Sequence, residues 1–88
     1  MKIRFFGSPK CLDCLKLLVL LNKYQIDYEY IDILSESQDV QNFCDENNVD
    51  EVPHIQFLDE NGIRKIEHIG PVTEYELTKY LIEYFPHY

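Results

Sequence analysis

Positive charge is scarce in this chain: eight Lys and Arg stand against sixteen Asp and Glu, a net charge of −8. That balance excludes a general nucleic-acid binder, which needs a basic surface to meet phosphates. Long apolar runs are missing as well. The longest, Leu17 to Leu21, is five residues, against the ~20 that a membrane-spanning helix takes. The opening "MKIRFFG" reads as no signal peptide, because its apolar part is short and meets Gly7 and Pro9 at once. Cysteine is confined to Cys11, Cys14 and Cys44, an odd, low count that does not suit a disulfide-stapled secreted scaffold. A reducing cytoplasm is the expected setting, with no membrane and no nucleic acid among the partners. There a close cysteine pair is more often catalytic or metal-binding than structural. Repeats, low-complexity segments and linkers are absent from the 88 residues, and 45% of them are hydrophobic. One globular domain over residues 1–88 is expected.

What charge there is lies unevenly. Residues 1–23 carry five Lys and Arg and one acid, a net +4; residues 24–88 carry three against fifteen, a net −12. Two of the three cysteines fall in the basic part. It can be read as a solvated surface that aids solubility, or as a local positive field that favours a thiolate.

The chain punctuates itself clearly. Lys2 to Phe6 reads as a short strand closed by Gly7 and Pro9. Cys11 to about Tyr24 reads as a helix whose leucines cover most of its circumference, so packing on more than one side is expected. Asp27 to Ile33 alternates as a second strand. "SESQ", Ser35 to Gln38, has the form of a capping box that opens a helix to about Asn47, with Val40, Phe43 and Cys44 on one face. "HIQFLDENGIRKIEHI" holds two β-rich runs around "DENG", a hairpin with Gly62 where positive φ is needed. Gly70 and Pro71 end the last strand. "TEYE", Thr73 to Glu76, is a second capping box, opening a helix through Leu77, Tyr80, Leu81 and Tyr84 to Pro86. The order β-α-β-α-β-β-α asks for one parallel pair with a right-handed crossover and one antiparallel hairpin. An α/β fold follows, a four-stranded mixed sheet with helices on both faces.

The chemistry concentrates in "SPKCLDCLKLL". Dithiol exchange needs an exposed thiolate and a second thiol close enough to displace it. Cys11 sits where strand gives way to helix, at free N–H groups and the positive end of the macrodipole. Cys14 comes one turn later on the same face. Cys11 is therefore the expected nucleophile and Cys14 the resolving thiol. Asp13 opposes a thiolate beside it, while Lys10 and the dipole favour one. The solvated aspartate is expected to lose, since exposed charges interact weakly through water. A CxxC pair can also be half of a zinc site. His54, His68 and Cys44 are candidate ligands by type, yet none makes a second tight pair, and no metal is expected. Cys44 reads as a small buried hydrophobe or a regulatory thiol.

A strand, CxxC at a helix start, and "EVPHIQF" before a hairpin together resemble the thioredoxin-like fold, and within it the glutaredoxins. The resemblance spans essentially the whole chain. It implies a thiol-disulfide oxidoreductase of cell redox homeostasis and electron transport, with no tightly bound cofactor, acting as a monomer on disulfide-containing proteins. It implies a cis Pro53 beside the dithiol, and a Val52 backbone that offers strand-like hydrogen bonds to substrate. Docking over Lys10, Val52, Pro53, Gly70 and Thr73 is the corresponding expectation. The pattern also departs from the family. No Trp precedes the motif, Leu12 and Asp13 fill it, and Pro71 stands where a second glycine would help to bind glutathione. Proline has no N–H and a fixed φ. Thr73 can offer a hydroxyl there, or serve as the helix cap. Short glutaredoxin-like electron donors of ribonucleotide reductase depart similarly and have this length, so thioredoxin reductase or glutathione is the implied electron donor. Two other readings use the same residues: a metallochaperone binding copper or zinc through CxxC, and a non-enzymatic adaptor.

Overall fold

The computed structural model describes residues 2–84. The elements run β1 (Lys2–Gly7), α1 (Leu12–Lys23), β2 (Tyr28–Asp32), α2 (Gln38–Glu46), β3 (His54–Leu58), β4 (Arg64–Ile69) and α3 (Glu74–Tyr84). The expected end of α3 at Pro86 lies outside the described residues. Strand order is β2-β1-β3-β4. β1 pairs parallel with β2, placing Phe5 opposite Tyr30. β3 runs antiparallel to both β1 and β4. This is the mixed sheet that the sequence predicts.

Period-two alternation turns the strands' side chains to two faces of the sheet, each covered by its own core. Ile3, Phe5, Ile55 and Phe57 face α1 and α3, whose Cys14, Leu17, Leu21, Leu77 and Leu81 complete one buried cluster. Phe6 and Ile31 face the other way and meet Cys44, with Val40 and Phe43 of α2 packed against them. Helices thus cover both faces. Among the described residues, no helix is long and apolar enough to cross a membrane.

The second face of β3 is polar although buried. His54 and Gln56 are almost fully enclosed there. Gln56 reaches Asn47 at the end of α2 (3.1 Å) and Glu67 on β4 (3.2 Å), and accepts from Arg4 (3.3 Å). His54 bonds the same Glu67 oxygen through Nε2. Buried polar groups are tolerable when partnered in this way. Burial works against the Glu67 charge, but the hydrogen bonds from His54 and Gln56, with the nearby Arg64, hold its carboxyl below the usual range. At neutral pH a carboxylate can only accept, so in this pair Nε2 of His54 donates.

Two local expectations change. Helix α2 is capped by Ser37, whose Oγ accepts from Val40 N, and not by Ser35. Ser35 Oγ instead takes the Ser37 N–H, and Gln41 ties back to the carbonyls of Ile33 and Ser35. These local bonds carry the chain through one more turn before the helix begins. The other capping box stands as expected: Thr73 N donates to Glu76 Oε1 and Glu76 N donates to Thr73 Oγ1, both at 3.1 Å. Helix α1 packs on one side only. Leu12, Leu15 and Val19 stay exposed, because α3 and the sheet meet the same face of it.

Candidate functional site

Two parallel strands and one antiparallel neighbour bring three loops to one end of the sheet. They are the segment after β1, the approach to β3 and the segment after β4. Phe6 pairs with His54, and His54 pairs in turn with Ile69. The cysteine motif, Val52-Pro53 and Gly70 to Thr73 therefore leave the sheet at the same end.

Cys11 is the N-cap of α1, and its sulfur accepts the Cys14 N–H at 3.2 Å. Cysteine here takes the place of the oxygen side chains that usually cap a helix. A negative charge on the Cys11 sulfur would meet an N–H donor and the start of a helix. Ser8 sets the turn before it: its carbonyl accepts the Cys11 N–H (3.1 Å) and its hydroxyl accepts the Lys10 N–H (3.1 Å). Cys11 is half-buried, whereas Cys14 is fully enclosed. Burial, and next the Cys11 sulfur, push the Cys14 thiol up to about 12, against a backbone hydrogen bond from Ser8 that pulls it down. One sulfur is thus reachable and the other is held protonated beneath it.

Val52-Pro53 is a cis peptide. Pro53 is enclosed, and its carbonyl accepts the Gly70 N–H at 2.8 Å, which stitches the loop after β4 to the start of β3. Gly70 has φ of +99°, in the region that favours glycine. Val52 and Cys11 both pack against the same buried cluster. The backbone of Val52 makes no hydrogen bond among the described residues. Lys10 and Thr73 are exposed, and the Thr73 hydroxyl is occupied in the cap of α3, donating to Glu76 at 2.9 Å. Pro71 offers no N–H, and its carbonyl lies 3.1 Å from His68 Nε2. His68 Nδ1 meets the Tyr80 hydroxyl at 2.6 Å, which fastens this loop to α3.

The candidate zinc ligands go separate ways. His54 is engaged by Glu67, His68 by Tyr80 and Pro71, and Cys44 lies buried under the opposite face. Among the described residues, no group of three or more His, Cys, Asp and Glu is placed to hold a metal ion.

Sequence reasoning missed one neighbour of the dithiol. Tyr30 lies edge-on to Phe5 with centroids 5.2 Å apart. Burial pushes its hydroxyl up, followed by Asp32 and then by Cys14 and Cys11. The space for these rings exists because residue 7 is glycine: a Cβ there would lie 2.7 Å from Phe5 Cε1 and 2.9 Å from Tyr30 Cε2. The alternation of β2 puts Tyr30 on the Phe5 face, but only the register places it beside Gly7.

A model of the glutaredoxin family matches residues 3–63. Solved structures share the fold at low identity. Thioredoxin O2 from Arabidopsis thaliana, in its oxidised state, is 24% identical with a TM-score of 0.74, over 93% of this chain and 72% of that one. Thioredoxin 1 from Thermosipho africanus is 22% identical with a TM-score of 0.73, over 98% and 96%. A mutant thioredoxin from Halobacterium salinarum is 19% identical with a TM-score of 0.76, over 94% and 73%. A comparison with curated proteins finds no match.

Proposed function

The chain belongs to the glutaredoxin family, and on that premise we propose that it reduces disulfides through Cys11 and Cys14, as a cytoplasmic monomer without a tightly bound cofactor. The observation that carries this reading is the pairing of an accessible sulfur, capped by a backbone N–H, with an enclosed thiol one turn away. The Cys11 thiolate attacks one sulfur of a substrate disulfide. A mixed disulfide forms, and the other substrate sulfur leaves as a thiolate that takes up a proton. Cys14 then loses its proton and attacks the Cys11 sulfur, releasing the second substrate thiol. Two electrons have passed to the substrate, and Cys11 and Cys14 are joined. An external thiol or dithiol donor returns them.

Substrate docks over Lys10, Val52, Pro53, Gly70 and Thr73, with the free Val52 backbone available for strand-like bonds. The donor is more readily a protein such as thioredoxin reductase than glutathione. Pro71 gives a small peptide thiol no N–H to bind, and its carbonyl already faces His68.

Reduction of the oxidised protein by glutathione, compared with reduction by NADPH plus thioredoxin reductase, tests both parts. Turnover with the reductase and little with glutathione is expected. Turnover with glutathione alone would overturn the choice of donor. Reduction by neither would overturn the oxidoreductase reading.

A further inference from the structure

Helix α1 leaves one face uncovered, and that face begins inside the dithiol motif. Leu12, Leu15 and Val19 recur at i, i+3 and i+7, which aligns them along one side of a helix. They are 67%, 44% and 66% exposed. Lys16 projects from the same side, and Lys10 stands at its head. Both are exposed, and neither forms an ion pair with a described residue. Lys23, two turns further, is already held by Glu74 at 2.6 Å.

The stripe is small and basic-edged. Its three side chains expose on the order of 300 Å² of apolar surface, the size at which a patch on a monomer is often functional. A stable protein interface takes about 800 Å² from each partner, whereas transient redox encounters use less. A second copy of this chain, joined stripe to stripe, would bring like-charged lysines together at the rim, an arrangement that disfavours association. The occupant that fits is a transient partner with an apolar contact and acidic neighbours, reaching the dithiol at the same time.

We propose that Leu12, Leu15 and Val19, rimmed by Lys10 and Lys16, dock an acidic, apolar segment beside the disulfide of a protein substrate. Substrate choice is then read along α1 as well as at the loops around Pro53. This rests on the oxidoreductase reading given above. It also runs against the molecule's overall field, because a net charge of −8 by itself attracts basic partners.

The test uses two synthetic peptides with the same internal disulfide, one flanked by Glu and Leu and the other by Lys and Leu. Pre-reduced protein is mixed with each in single turnover, with hydroxyethyl disulfide as a small substrate in parallel. At about 20 mM salt the Glu/Leu peptide is expected to react roughly tenfold faster than the Lys/Leu peptide, and the gap closes near 0.5 M salt. Lys16→Glu should bring the ratio to about one or reverse it. Val19→Ser should slow the Glu/Leu peptide while leaving its salt dependence. Equal rates with the two peptides, a faster Lys/Leu peptide, or a preference that survives Lys16→Glu overturns the docking proposal. Failure to reduce all three substrates overturns the oxidoreductase reading and the proposal with it.

Discussion

The structure makes the three thiols unequal toward an alkylating reagent. Burial and the neighbouring sulfur push the Cys14 thiol from 9.0 up to about 12. At pH 7 about one Cys14 in 10⁵ is then a thiolate, about a thousandfold fewer than for an ordinary thiol. Cys14 is also closed to solvent, so an alkylating reagent meets both too few thiolates and too little access. Cys44 is likewise buried and its thiol is raised, by burial first and by Asp45 next. Reduced native protein treated with iodoacetamide at pH 7, then digested and mapped by mass spectrometry, should carry label at Cys11 at least a hundredfold faster than at Cys14 or Cys44. Labelling of Cys14 should climb about tenfold per pH unit and show no plateau below about pH 11. Labelling of Cys14 within tenfold of Cys11 at pH 7 would refute the division of roles. On the proposed mechanism, the same physics lets Cys14 act as the resolving thiol. Once Cys11 is tied up in a mixed disulfide, its sulfur no longer carries charge, and one of the influences that hold Cys14 protonated is gone.

Gly7→Ala should destabilise the fold by about 1–3 kcal/mol, seen as a lower urea midpoint at unchanged m-value, because the new Cβ strikes the enclosed Phe5 ring and Tyr30. Trimming the obstacle with Phe5→Leu should make the same change cost less, and an additive double-mutant cycle would remove the steric explanation. Glu67→Leu leaves the buried His54 donor without its acceptor and Gln56 with Asn47 alone, so a loss of about 1–3 kcal/mol in urea unfolding is expected, with Glu67→Gln losing less. Because the Glu67 carboxyl is lowered in the folded state, its stabilisation is complete above the ordinary glutamate value of about 4.3 and is lost as pH falls through the lowered folded value. Unfolding free energy measured between pH 7 and 3 should therefore fall less steeply at the acid end in Glu67→Gln than in wild type.

Most of the architecture was legible because its signals are local. The Ser8–Cys11 turn, the Asp59–Gly62 turn and the Thr73–Glu76 box each punctuate the chain with a nearby hydrogen bond or a positive φ. CxxC at a strand-helix boundary carries its own geometry in the same way. Two kinds of feature escaped. Where several Ser and Gln compete for the same N–H groups, as over residues 35–41, spacing does not say which side chain caps the helix. Long-range partners leave no local trace either. The bonds that join His54 and Gln56 to Glu67, or His68 to Tyr80, cross 11 to 13 residues of sequence. The surplus leucines of α1 predict burial by composition. Only the placement of α3 and the sheet reveals that part of them faces outward.

The polar face of β3 bears directly on the dithiol end. Immediately after Pro53, His54 is paired on one side with Phe6 and on the other with Ile69, and its ring is bonded to Glu67. The strand is therefore fixed from its first residue, by two neighbouring strands and by a buried side chain. One residue before Pro53, the Val52 backbone is unpaired among the described residues. Unpaired backbone next to a rigid ladder can pair with another extended chain. If substrate docks as proposed above, a segment that bonds there would add hydrogen bonds without displacing any. On the docking proposed above, pinning β3 through Glu67 would keep that edge in one position relative to Cys11, and loosening the pin should slow the exchange of protein disulfides more than that of small ones.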